Sequence, residues 1–166
     1  MPMGRHSLLI LTAGALAGLA CSAALDGTSP TRLQVTRLRS EPYSYTYISG
    51  LTQSERLVVR DNATWQAIWS KLWIGASPKP APPTIDFFKE MLIVTALGAR
   101  NTGGYTILVD SATRASDGIT IWIRTISPGP KCGTTQALTQ PVDLARLPRI
   151  DAAVRFTDTA VVADCR

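Results

Sequence analysis

Apolar and polar residues alternate with a period of two in two neighbouring stretches. In the first, Tyr105, Ile107 and Val109 share one face while Thr106, Leu108 and Asp110 take the other. In the second, Ile119, Ile121, Ile123 and Thr125 lie opposite Thr120, Trp122, Arg124 and Ile126. This alternation predicts half-buried antiparallel strands. Ser116-Asp117-Gly118 supplies the turn chemistry to join them. Upstream, Met91 to Leu97 is a nearly continuous apolar run and predicts a buried strand, linked to the pair by the glycine loop 98–104. Together they predict a three-stranded meander that the rest of the chain covers or tethers. Glu55 to Arg60 predicts a further strand, as do segments of 136–147 and 153–157. Pro141 and Pro148 put part of 136–147 at a sheet edge. Tyr43, Tyr45 and Tyr47 alternate with Ser44, Thr46 and Ile48, which predicts a strand with an aromatic face.

A helical period occurs once. Trp65, Ile68, Trp69, Leu72 and Trp73 recur at i, i+3, i+4, i+7 and i+8 behind a capping residue at Asp61 or Asn62. The spacing predicts one amphipathic helix over about 62–73 whose tryptophan stripe clamps onto the sheet. A carbohydrate or peptide cradle is the alternative use of that stripe. Four prolines stiffen 75–84 into an extended connection, and Ser127-Pro-Gly-Pro-Lys-Cys-Gly133 reads as a tight loop. The expected fold class is therefore α+β and mostly β: an antiparallel sheet, or a small sandwich or barrel, covered by one helix.

The N-terminal stretch reads as an address and not as part of this core. Arg5 and His6 precede an apolar run from Leu8 to Ala20, the pattern of a signal peptide over 1–20. Ala17-Gly-Leu-Ala-Cys21 resembles a bacterial lipobox, with Gly18 in place of the usual leucine. Lipid on Cys21 would tether the domain to a membrane without spanning it. Cleavage near Ser22 to Ala24, or retention of the run as a transmembrane anchor, are the alternatives. Residues 21–42 have the composition of a flexible linker, and the folded domain is expected over 43–166.

Charge and composition narrow the chemistry. The 166 residues include 17 Lys and Arg against 12 Asp and Glu, a net +5. Removing Arg5 with the signal leaves 16 against 12, or +4, scattered without the clustered patch that phosphate recognition needs. Nucleic acid is not an expected partner. His6 is the single histidine and leaves with the signal, which removes imidazole catalysis and histidine metal sites from the mature chain. Cys132 and Cys165 then form an even pair in an exported protein and are expected to be bridged, with two free thiols as the alternative. The loop Thr102-Gly103-Gly104 lacks the Lys-Ser/Thr of a phosphate-binding loop and opens no helix, so no nucleotide cofactor is expected. Taken alone it reads as a hairpin turn or as an exposed loop for a partner. Asp86, Glu90, Asp110 and Asp143 are the carboxylates available to a hydrolase, and no spacing singles out a pair among them.

Three segments in order carry a family resemblance: Ala96-Leu-Gly-Ala-Arg-Asn-Thr-Gly-Gly-Tyr105, Ser127-Pro-Gly-Pro-Lys-Cys132 and Gln136-Ala-Leu-Thr-Gln-Pro-Val-Asp143. With Thr64-Trp-Gln-Ala-Ile-Trp69 and Asp86-Phe87, they resemble the C-terminal domain of the PrcB family over Ile48 to Thr157. The resemblance implies a bacterial lipoprotein of a surface protease complex that supports a subtilisin-like protease, and it carries over no catalytic residue. The expected function is a non-catalytic, exported cell-envelope binding module without metal or cofactor, held to a membrane by lipid. Arg100, Asn101, Thr102, Gly103, Gly104 and Tyr105 are its expected partner contacts. Two alternatives stand beside it. One is a protease inhibitor, since Thr102-Gly-Gly-Tyr105 is loosely similar to the Thr-Thr-Gly-Tyr loop of chagasin-like inhibitors. The other is a carboxylate-dependent hydrolase.

Overall fold

The computed structural model describes Met1 and residues 29–38 and 49–165. The expected signal peptide, Cys21 and the tyrosine strand 43–48 lie outside the described residues. Among the described residues, eight strands and one helix follow in order: β1 (Thr31–Leu33), β2 (Thr36–Arg37), β3 (Ser54–Val59), α1 (Asn62–Leu72), β4 (Glu90–Leu97), β5 (Thr106–Ala115), β6 (Gly118–Pro128), β7 (Val142–Pro148) and β8 (Val154–Ala163). They form two four-stranded sheets, ordered β1-β5-β6-β8 and β2-β7-β4-β3. The architecture is mostly β with one short helix, as the periodicities predict.

The continuous apolar run in β4 has a physical reason. Leu92, Val94 and Ala96 pack beneath Trp65, Ile68, Trp69 and Leu72 of α1. Met91, Ile93 and Leu97 face the other way, against Ile107, Val109, Ile119, Ile121 and Ile123. β4 is thus buried on both faces, between the helix and the second sheet, and alternation would leave half its residues unsuited to their surroundings. Among the described residues β5 and β6 are covered on one face only, which suits their alternation. The layers run helix, sheet, sheet. Among the described residues, no helix lies over the outer face of the β1-β5-β6-β8 sheet.

Helix α1 begins where its cap allows. Asp61 is extended and its Oδ1 accepts the Thr64 amide at 2.8 Å. The indole N–H groups of the stripe also explain the proline-rich connection. Trp69 Nε1 donates to the Pro80 carbonyl at 2.7 Å and Trp65 Nε1 donates to that of Pro83 at 3.1 Å. An indole offers only a donor and a proline backbone only an acceptor, so the pairing satisfies both. The stripe is core, with Trp65 and Trp69 edge to face at 5.2 Å.

Four features depart from the expectations. The predicted meander is split, since β4 belongs to one sheet and β5 to the other. The glycine loop between them is therefore an arch from sheet to sheet and not a hairpin turn. The expected linker 21–42 contains β1 and β2, which pair with β5 and β7 respectively. At three and two residues they are too short to show a period. Within 136–147, the strand starts only at Val142, after Pro141. Finally, β8 runs to Ala163 and pairs with β6 in parallel, outside the antiparallel expectation.

Candidate functional site

The arch 98–105 is built against the segment 134–140. Arg100 and Thr139 form an isolated antiparallel bridge, with N–H to carbonyl distances of 2.8 and 2.9 Å. Thr139 Oγ1 donates to the Thr102 carbonyl at 2.8 Å, and the Gly103 amide donates to the Thr135 carbonyl at 2.9 Å. Thr139 is buried by these contacts. A third segment joins through Ser49, whose Oγ donates to the Gln140 carbonyl at 2.9 Å, and Gly50, whose amide donates to Gln140 Oε1 at 2.7 Å. The amide of Ala99 donates to Thr52 at 2.9 Å. Three loops thus interlock into one end of the sandwich. Their backbone polar groups are satisfied by one another, which holds loops in one conformation.

The two central glycines of the arch are used differently. Gly103 is buried, and a Cβ there would collide with Thr135 Oγ1, so its bareness serves close packing inside the protein. Gly104 is exposed at φ +86°, a left-handed conformation that glycine adopts without strain. Arg100 lays its guanidinium 5.6 Å from the centre of the Tyr105 ring and donates from Nη1 to the Ala99 carbonyl at 2.8 Å. Asn101 is exposed, while Thr102 and Tyr105 are half-buried. All six expected contact residues therefore sit on one arch, with Asn101 and Gly104 outermost.

Sequence reading did not include the partner segment. Thr135, Gln136, Ala137 and Leu138 are all exposed beside the arch, and Leu138 is 67% exposed. The signal available was Leu138, a large apolar residue in an otherwise polar, turn-forming stretch.

The four carboxylates are not brought together. Asp86 pairs with Lys89 at 3.2 Å, and its Oδ1 accepts the Phe88 amide at 3.1 Å in the turn that leads into β4. Glu90 pairs with Arg146 at 3.5 Å, and Asp110 with Arg124. Asp143 pairs with Arg37 at 3.4 Å and accepts the Val109 amide at 2.7 Å. Burial pushes the Asp143 carboxyl up, and the Val109 amide and the Arg37 guanidinium pull it back. Asp86, Glu90 and Asp110 line different hollows. Each carboxylate has a structural partner in place of a second carboxylate.

Among the described residues no group of three or more His, Cys, Asp or Glu is placed to hold a metal ion. Among them, too, no helix is long and apolar enough to cross a membrane. Cys132 and Cys165 are disulfide-bonded, with Cα atoms 5.0 Å apart, and join the loop after β6 to the end of β8.

The fold thus defines a β-rich α+β domain with interlocked loops at one end. Residues 91–148 match the family described as PrcB C-terminal. The match runs through β4, β5, β6 and β7, so it takes in the arch and its partner segment but not β3, α1 or β8. Neither a curated protein nor a solved structure matches the chain.

Proposed function

We propose that this protein is a non-catalytic, exported binding module of the cell envelope that assembles with or stabilises a subtilisin-like protease. The observation that carries this reading is the PrcB C-terminal match, which covers both the arch 98–105 and the segment 134–140 against it. The resemblance implies membership of a protease complex, and a loop pair held rigid by its own hydrogen bonds suits a binding surface. The contact surface is the arch from Arg100 to Tyr105 together with Thr135 to Leu138. The Cys132–Cys165 disulfide supports an oxidising, extracytoplasmic location. Lipid on Cys21 is the membrane tether in this reading. The pairing of Asp86, Glu90, Asp110 and Asp143 with four separate cations favours binding over carboxylate catalysis.

Affinity capture from solubilised membranes, read by mass spectrometry, tests the proposal. The expected result is a secreted protease recovered with the intact protein and lost when Arg100 and Asn101 are replaced. Recovery of no protease, or turnover of a substrate by the purified protein alone, overturns it.

A further inference from the structure

The outer face of the β1-β5-β6-β8 sheet carries a second constellation, away from the arch. Trp122 on β6 is 41% exposed and has no ring or hydrogen-bond partner among the described residues. A large indole left open on a sheet face is uncommon unless something covers it. Ser111 stands directly across the ladder from Trp122, and Thr159 on β8 is the neighbour of Arg124. Between Val109 and Ser111 the register of β5 shifts by one residue, so Asp110 is the bulge. Bulges re-aim a side chain, and this one brings the Asp110 carboxylate onto the Arg124 guanidinium. Asp110, Ser111, Trp122, Arg124, Thr159 and Val161 line one hollow of about 390 Å³.

We propose that this hollow binds a neutral pyranose saccharide, with the sugar's C–H face on the indole of Trp122. The argument is chemical complementarity. The indole face carries the negative side of a quadrupole, which attracts the weakly positive C–H groups of a sugar ring. The rim supplies both hydrogen-bond senses, a guanidinium that donates and a carboxylate that accepts, plus the hydroxyls of Ser111 and Thr159 that do either. Polyols need that mixture, since every sugar hydroxyl both donates and accepts. The paired charges of Asp110 and Arg124 cancel, so an anionic or cationic ligand meets a like charge at one side and a neutral one does not. The hollow is concave and crossed by three strands, so the groups are fixed by ladders and not by loops. This site is independent of the protease-binding reading and lies on different elements.

The test uses the intact folded protein titrated with chitotetraose and cellotetraose, both neutral, followed by the Trp122 indole resonance. The expected result is saturable binding of at least one probe, with shifts confined to Trp122 and its rim. Trp122→Ala should weaken that binding by about tenfold or more, near 1.4 kcal/mol, with no change in melting temperature. Trp122→Phe, which keeps an aromatic face, should retain most of it. Thr159→Glu, which sets a second carboxylate beside Arg124 and upsets the charge balance of the rim, should also abolish it and covers the case of an unstable Trp122→Ala. Failure of the wild type to bind either probe overturns the proposal, as does binding that survives Trp122→Ala and Thr159→Glu. A protein that binds no sugar but dissociates from dimer to monomer on Trp122→Ala also overturns it, because the face is then a self-association surface.

Discussion

Arg37 and Asp143 divide the backbone of a single residue between them. Arg37 Nη2 donates to the Val109 carbonyl at 3.1 Å, and Asp143 Oδ2 accepts the Val109 amide at 2.7 Å. Arg37 and Asp143 also pair with each other at 3.4 Å. Arg37 belongs to β2 and Asp143 to β7, both in one sheet, while Val109 belongs to β5 in the other. The lock therefore ties sheet to sheet beside the bulge, where ladder bonds are interrupted. Replacing Asp143 by Ala leaves the Val109 amide without its acceptor. The expected cost is about 1–3 kcal/mol in denaturant unfolding.

The same carboxylate sets a pH dependence. Asp143 is raised above its ordinary value of 3.8 by burial. The unfolded chain then loses its proton at lower pH than the folded protein does. Between those two points the folded state holds more protons, so this group lowers stability as pH rises through the window and adds no further slope above it. Asp143→Asn removes that slope. Measured against the wild type, the Asn variant should gain relative stability as pH climbs from below 3.8 through the raised folded value. A stability difference that is flat across that range contradicts the assignment.

Trp69 is buried between Trp65 and Trp73 and holds the Pro80 carbonyl. Trp69→Ala should cost about 3–5 kcal/mol, as other buried aromatics do. Equilibrium unfolding measures it. A loss below about 1 kcal/mol would mean that the stripe is not core.

The disulfide closes a loop between residues 33 apart, which is worth about 3–4 kcal/mol in the chain-entropy model. β8 is exposed along Asp158 to Val162 and buries little there. Reduction should therefore speed amide exchange in that half of β8 well before it does so in β4, which is buried on both faces. Uniform exchange through both strands would show that the staple acts on the whole domain and not on its edge.

The arch can be separated from the fold it stands on. Arg100→Ala with Asn101→Ala removes two side chains while the backbone bonds to Thr139 and Thr135 remain. Stability should stay within about 0.5 kcal/mol, and capture of the partner proposed above should weaken. Full capture with a loss of several kcal/mol would make the arch a structural turn.

The sequence was most legible where one residue period ran long enough to be seen. The stripe Trp65 to Leu72 and the alternations of β5 and β6 were readable, because each faces one buried and one exposed side. Sheet membership was not readable. Both β4 and β5 are apolar enough for either sheet, and only the layer order decides between them. Parallel pairing of β8 was hidden as well, since only Val154 and Phe156 of that strand reach the core. For the arch, its glycines and Arg100 were visible in advance. Its packing against Thr135 and Thr139 was not, because those partners sit beyond two intervening strands.

The short strands β1 and β2 also set a load path. A pull on the chain from its N-terminal side reaches the core first through three residue pairs of β1 with β5. Once those part, tension passes to β2, which has two ladder pairs with β7 and then the Arg37 lock on Val109 and Asp143. Because β1 and β2 grip opposite sheets, traction from that side meets the two halves of the sandwich one after the other, and the last grip is a side chain.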